Sequence, residues 1–236
     1  MAARTRDRCG MRPRDIAVVG GHGKTGRAVV AALTSRGERA VPLGRAQWAD
    51  LAGAMAGCAA AYVIAPNFHP DEPAYVAHAL EACLAAGVDR VGYHSVASPY
   101  VPAMAHHVAK AEAEDLVRRS GLAWTILQPG VYVQNLDLSR PVEVPYDVHV
   151  TFGFLDLADL GEAVATVLLE DGHVGATYEL ASRTGSVAEL AAEAGTTASR
   201  VGAGDVPDGL RAMFAYYDAH GLPAGTLPLR AILGRP

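Results

Sequence analysis

"DIAVVGGHGKTGRAVVAALTSRG", residues 15–37, decides the fold. It opens on a short apolar run halted by glycine, and after Lys24 its apolar positions recur at helical spacing until Gly37 ends them. The stretch predicts strand, glycine turn and helix. Two glycine patterns overlap in the turn: Gly21, Gly23 and Gly26 form G-x-G-x-x-G, while Gly20, Gly23 and Gly26 form G-x-x-G-x-x-G. Either permits a sharp turn, close backbone approach to a diphosphate, and tight packing of helix on strand, with phosphate charge on the helix N-terminus. Lys24 and Thr25 lie inside the same turn. A strand before and a helix after give the motif its weight.

Downstream, "ERAVPLGR" (38–45) reads as a second strand, with Pro42 tolerable near a sheet edge or strand end. "WADLAGAMAG" (48–57) is helical and "AAAYVIAP" (59–66) is a strand stopped by Pro66. Helix 72–87, strand 90–96, helix 102–121 and strand 123–130, closed by Pro129-Gly130, continue the alternation. Strands alternating with helices of this length require parallel pairing and right-handed crossovers, hence an α/β fold with a doubly wound parallel sheet. The span between Arg45 and Tyr62 is too short for helix, strand and second helix. The third strand is therefore expected to be shortened or absent, leaving the second strand at the sheet edge.

After Gly130 the alternation weakens. Residues 147–172 give a strand-like stretch and a helix, 176–182 a strand, 186–195 a helix, and 207–225 an amphipathic helix broken by Gly221 and Pro223. Residues 14–236 are expected to form one domain, with 131–236 supplying most of a cap over the sheet's carboxyl edge.

The 236-residue chain is 50% apolar and 19% charged, the balance of a compact domain with a large core. Its net charge of −5 and the absence of a Lys/Arg cluster in the folded part argue against nucleic acid as a ligand. Three widely spaced cysteines, Cys9, Cys58 and Cys83, make neither a C-x-x-C pair nor a disulfide framework, in keeping with a reducing cytoplasm. Residues 1–13 are arginine-rich but lack the apolar core of an export signal, and no run reaches the roughly 18 apolar residues of a membrane span. They read as a disordered tail, with Met11 an alternative start.

Where NAD-preferring folds place an acid on the ribose hydroxyls, about twenty residues past the glycine turn, this chain has Arg45, which suits a 2′-phosphate and so NADP(H). Lys24 is placed to assist.

"VVGGHGKTGRAVV" (18–30), the stretch from Gly87 to Leu136, "FLDLADLGEAVATVLL" (154–169) and the ending "YYDAHGLPAGTLPLRAILGRP" (216–236) resemble, in order, the segments of NmrA-like proteins, a branch of atypical short-chain dehydrogenases/reductases. The resemblance implies a Rossmann-type nucleotide domain with a small C-terminal substrate region. It also implies either NAD(P)H-dependent reduction or nucleotide sensing without turnover. The short segment after Arg45 removes the family strand that borders the adenine ring, and the chain stops where relatives commonly continue. The alanine-rich, arginine-over-lysine composition resembles that of GC-rich bacteria, whose members of this group often serve secondary metabolism.

In tyrosine-dependent reductases a strand-borne serine is followed by a helix carrying tyrosine and, one turn on, lysine. Here the serine is Ser95, the lysine Lys110, and the tyrosine position holds His106, which shares a helix face with Lys110. An unperturbed imidazole titrates near 6.5, so His106 is a candidate proton donor, with Lys110 and Ser95 arranging cofactor and substrate oxygen. The other reading is a relative that moves hydride by positioning alone, where the lysine chiefly serves the cofactor and water supplies the proton. Ala65, Pro66, Pro129, Gly130 and Val131 occupy the carboxyl edge on the cofactor side. Asn67, Tyr100, Tyr132, Asn135, Phe214 and Tyr217 are candidate walls for an apolar substrate. Adjacent His106 and His107 cannot both face one point from a helix, and no metal-ligand spacing occurs, so no metal is expected.

The sequence thus points to a cytoplasmic NADPH-dependent reductase of a small apolar carbonyl or quinone-like compound, monomeric or homodimeric, without nucleic-acid or membrane partners. A redox-neutral cyclase or isomerase on the same fold, and a non-enzymatic NAD(P) sensor, are the alternatives.

Overall fold

The computed structural model describes residues 14–235; the tail expected over residues 1–13 lies outside them. Strand β1 (Asp15–Val19) feeds the glycine turn and helix α1 (Lys24–Ser35), which ends where Gly37 takes a positive φ of 81°. β2 (Arg39–Leu43) follows, then a 3-10 turn over Arg45–Asp50 running into α2 (Leu51–Met55), and then β3 (Ala60–Val63). Helix α3 (Glu72–Ala86) starts from an Asp71 side chain that accepts from the Ala74 amide, and stops at left-handed Gly87. β4 (Arg90–His94), α4 (Ala105–Arg119) and β5 (Ala123–Pro129) complete the regular alternation.

Beyond it come β6 (Val131–Tyr132), β7 (Val142–Val144), β8 (Phe152–Leu155), α5 (Leu157–Leu169) and β9 (Ala176–Leu180). β10 (Arg183–Gly185), α6 (Val187–Glu193), β11 (Ala198–Arg200), α7 (Asp208–His220) and α8 (Leu227–Leu233) end the chain.

Six strands form one sheet in the order β2-β1-β3-β4-β5-β9, every neighbouring pair parallel. Between Leu43 and Ala60 there is no strand. The omission expected from the short span is present, and β2 forms one edge, with Pro42 opposite Val18. The direction of winding reverses between β1 and β3, which opens a crevice at their carboxyl ends.

Alternate residues of each strand serve opposite faces. Val19, Val63 and Val91 pack under α2, α3 and α4, whereas Ile16, Val18 and Tyr62 pack under α1, α5 and α8. Helix α5 is apolar around most of its circumference because it is buried along most of its length. It lies so close to α1 that a Cβ on Gly161 would sit 2.7 Å from the Ala28 carbonyl oxygen.

A third cluster, around Tyr146, Phe152, Phe154, Leu190 and Tyr217, joins β7, β8, α6 and α7. Of its small sheets, β10-β8-β6 and β11-β7, the sequence shows only the strand-like stretch that holds β8, because strands of two to four residues are too short to show a period.

Candidate functional site

The carboxyl ends of the central strands open into a cleft of about 1880 Å³. At its floor the glycine turn holds α1 close. Gly20 adopts φ +78°, and a Cβ there would meet the Ile64 carbonyl oxygen at 2.7 Å; a Cβ on Gly26 would meet the Gly20 carbonyl oxygen at 2.2 Å. Gly23 caps α1 without any side-chain hydrogen bond, and the first turn carries no acid. The amides of Lys24, Thr25 and Gly26 therefore have no intrahelical acceptor and suit an anion.

Gly20, Gly23, Lys24, Thr25 and Gly26 line the cleft, as read from sequence. Gly21 does not. It turns to the edge strand, where a Cβ would lie 2.7 Å from the Pro42 Cα, so its role is packing. Lys24 reaches over to the segment after β6, its Nζ donating to the Gln134 carbonyl at 2.7 Å and to Asn135 Oδ1 at 3.1 Å.

At the other end Arg45 begins the 3-10 turn and lines the cleft. Beside it stands an aromatic wall that sequence reading missed: Trp48 stacks on Tyr75 at 4.1 Å, with the His78 ring 4.7 Å from Trp48, and all three line the cleft. The chain segment that replaces the omitted strand supplies Trp48, and α3 supplies the other two.

Ala65, Pro66, Asn67, Pro129, Gly130, Val131, Tyr132 and Asn135 also line the cleft, as do Phe214 and Tyr217. Tyr146 and Met213 extend that apolar wall. Tyr100 lies elsewhere: it is 66% exposed, outside the cleft, and its hydroxyl points to Glu114 Oε2 at 3.3 Å. Proline-rich chain between Ser98 and α4 carries it out to solvent.

Two buried carboxylates organise the centre, and neither was foreseen. Glu72, fully buried, accepts from Lys110 Nζ at 2.7 Å and from the Tyr93 hydroxyl at 2.8 Å, both on Oε1. Its Oε2 has no hydrogen-bond partner, and His106 Nδ1 lies 3.9 Å from it. Lys110 also donates to the His94 carbonyl at 3.3 Å. Glu114, also fully buried, accepts from the Ser95 hydroxyl at 2.5 Å, Gln128 Nε2 at 2.7 Å and Arg118 at 2.8 Å. Ser95 reaches the cleft, but its hydroxyl hydrogen is committed to Glu114.

His106 lies under the Phe68 ring at 4.6 Å and lines the cleft. Burial, reinforced by Lys110 and His107, pushes its pKa down to about 4. At neutral pH it is uncharged, so the imidazolium donor read from its ordinary titration range is not present. Burial, with the Lys110 charge adding to it, pushes His94 further, to about 3, and both its ring nitrogens face tyrosine hydroxyls.

An unfolded histidine takes up a proton near pH 6.5 and folded His94 does not, so the unfolded chain binds more protons below that pH. Stability is lost as pH falls from 6.5 towards 3, at roughly 1.4 kcal/mol per unit. Urea unfolding should show His94 alone costing about 2 kcal/mol between pH 7 and pH 5, and a His94→Gln variant should have a correspondingly flatter profile. An identical pH slope in the two proteins would refute the assignment.

A doubly wound parallel sheet, with a glycine turn opening onto an uncapped helix N-terminus at the switch point, defines a Rossmann-type nucleotide-binding protein. The family model described as NAD(P)H-binding matches residues 39–171, more than half of the chain, and the chain belongs to that family. Quinone oxidoreductase 2 of Escherichia coli (strain K12) is 32% identical over 125 residues, covering 48% of this chain and 42% of that protein. The aligned stretch thus spans less than half the length of that curated relative.

Among solved structures, the NADPH-dependent quinone oxidoreductase of Escherichia coli complexed with NADPH superposes with a TM-score of 0.75 at 21% identity, over 94% of this chain and 95% of that one. The Citrobacter sp. triphenylmethane reductase gives 0.73 at 19% identity, over 93% and 94%. NmrA, a negative transcriptional regulator in complex with NAD, gives 0.77 at 16%, over 95% and 92%. At these identities the likeness is one of fold, and it bears out the resemblance to NmrA-like proteins at that level. Among the described residues no helix is long and apolar enough to cross a membrane.

Proposed function

We propose that this chain is an NADPH-dependent reductase of a small apolar carbonyl or quinone-like compound, working in the cytoplasm. The observation that carries the reading is one continuous cleft, with an uncapped helix N-terminus on its floor, Lys110 at its centre and an apolar aromatic wall beyond. The quinone oxidoreductase and the dye reductase of the same fold support it. Residues 14–236 act as one nucleotide-binding unit, with the segment after Gly130 giving most of the substrate side.

When bound, the reduced nicotinamide supplies a hydride to the substrate carbon or ring and leaves oxidised. The amides of Lys24, Thr25 and Gly26 hold the diphosphate. Arg45 meets the 2′-phosphate, and Trp48 and Tyr75 offer a flat surface for the adenine. Lys110 has three N–H groups; Glu72 and the His94 carbonyl engage two, and the third is free for a ribose hydroxyl. Tyr146, Met213, Phe214 and Tyr217 exclude water from the transfer. Water at the open side supplies the proton that completes the alcohol or hydroquinone.

Titration of the purified protein with NADPH and NADH, followed by coenzyme-consumption assays on quinones and ketones, tests this. NADPH should bind more tightly. Arg45→Ala should weaken NADPH by about tenfold, the worth of one charge-assisted contact, and leave NADH unchanged. Equal losses for both coenzymes would remove Arg45 from discrimination. Binding without consumption of any acceptor would favour a nucleotide sensor, and no binding of either coenzyme a redox-neutral enzyme.

A further inference from the structure

Ser95 follows β4 at the carboxyl edge of the sheet and lines the cleft together with Lys110 and His106. Its amide donates to the Leu127 carbonyl at 2.8 Å, which fixes the backbone there. The arrangement expected from the sequence has this serine serving a substrate oxygen, and the reaction proposed above assigns it no part.

Glu114 fixes which way the Ser95 hydroxyl works. It is fully buried, with Arg118 at 2.8 Å and the Tyr100 hydroxyl at 3.3 Å on Oε2, and Gln128 Nε2 at 2.7 Å and Ser95 Oγ at 2.5 Å on Oε1. Paired with an arginine and bearing donors on both oxygens, Glu114 is a carboxylate, which can only accept. The Ser95 distance is that of a charge-assisted O–H···O⁻ bond. Were the hydroxyl to rotate and donate to a carbonyl in the cleft, it would exchange that bond for a neutral one of about half the strength. The exchange is disfavoured by roughly tenfold.

A serine hydroxyl has one hydrogen and two lone pairs. With the hydrogen held by Glu114, lone pairs alone remain for a ligand, and among the described residues no other group donates to Oγ. A carbonyl oxygen set against Ser95 would bring lone pair against lone pair. A hydroxyl or an N–H would fit.

We infer that Ser95 is a specificity-determining residue that accepts a hydrogen bond from a hydroxyl or N–H group of the ligand in the cleft, and that Glu114 is the positioning residue that gives it this polarity. That the donor group belongs to the coenzyme or to the reducible substrate rests on the function proposed above; the polarity itself does not. The carbonyl to be reduced therefore turns away from Ser95.

Two probes of one ring system read the polarity: 2-naphthol, which has a hydroxyl hydrogen to give, and its methyl ether, which has none. Equilibrium dialysis of each against the protein, with and without NADP⁺, is run beside NADPH titration. Wild type should hold 2-naphthol about fivefold more tightly than the ether, the worth of one neutral hydrogen bond. Ser95→Ala leaves Glu114 its Gln128 and Arg118 partners. A donor on the substrate is shown if this variant brings the two probes to parity and spares NADPH; a donor on the coenzyme is shown if NADPH binds about fivefold more weakly.

Glu114→Gln reverses the polarity. Its oxygen stays on Arg118, its amide must donate to Ser95, and the serine hydrogen is released to the cleft. The methyl ether should then bind more tightly than to wild type, a gain that loosened packing would not produce. Ser95→Ala that weakens neither 2-naphthol nor NADPH would overturn the inference, as would a wild-type preference for the ether that Ser95→Ala abolishes. Wild-type protein that binds neither NADPH nor NADH would instead sink the reductase reading, and the two probes without coenzyme would still decide the polarity of Ser95.

Discussion

Replacing Lys110 with methionine should destabilise the protein by about 3–5 kcal/mol, the usual result of removing one partner from a buried ion pair. Glu72 is fully buried and would keep only the Tyr93 hydroxyl on Oε1, with Oε2 unpartnered as before. His106 offers little relief, because burial and Lys110 itself keep it neutral; in the variant its pKa should rise, but only towards the ordinary range. A Glu72→Gln, Lys110→Met double variant removes both charges and should recover most of the loss, to within about 1–2 kcal/mol of wild type. Urea unfolding at pH 7 of the four proteins of this cycle measures the coupling. A single Lys110→Met loss below about 1 kcal/mol would mean that water or a local rearrangement reaches Glu72, in conflict with its burial.

The cycle also separates two roles of the lysine. If Lys110 serves only the fold, the double variant should bind coenzyme as the wild type does. If its third N–H meets the ribose, stability returns and affinity does not.

The second large effect concerns the turn. Gly26→Val places a Cβ within 2.2 Å of the Gly20 carbonyl oxygen and 2.6 Å of the Gly21 Cα. Both neighbours are backbone and neither can rotate away, so α1 must move off the turn. A stability loss of about 1–3 kcal/mol is expected from overpacking. The NADPH dissociation constant should rise at least about tenfold, or about 1.4 kcal/mol, because the three free amides no longer converge. Gly23→Ala is the control: its Cβ would meet only the Gly20 carbonyl oxygen, at 3.3 Å, and a much smaller effect is expected. Fluorescence titration and thermal melts of both variants check this. Tight NADPH binding by Gly26→Val would show that the diphosphate does not use this helix end.

Much of this fold is legible in the sequence because the physics is local. A strand, three glycines and a helix are read from adjacent residues, and the omitted strand is read from a chain too short to hold it. The centre of the site is harder to read because its partners are remote. Glu72 opens a helix beside a proline and an Asp71 cap, which is where an acid normally answers the helix dipole. Glu114 stands one turn from both Lys110 and Arg118 and reads as a solvated ion-pair position; only the sheet beneath α4 makes it a buried acceptor for Ser95 and Gln128. Tyr62 reads as a core strand residue, and its link to His94 spans 32 residues. Tyr100 was assigned to the cleft on residue type alone, and type does not reveal which way a loop turns.

The short connection after β2 also bears on self-association. In β2, Arg39 donates its amide to the Arg14 carbonyl and Leu43 accepts on its carbonyl from Gly20, so Arg39, Val41 and Leu43 direct their backbone groups inward. Ala40 and Pro42 face outward, and proline has no N–H. The β2 margin of the sheet therefore offers a single amide to any incoming strand, too little to template a ladder with a second molecule there.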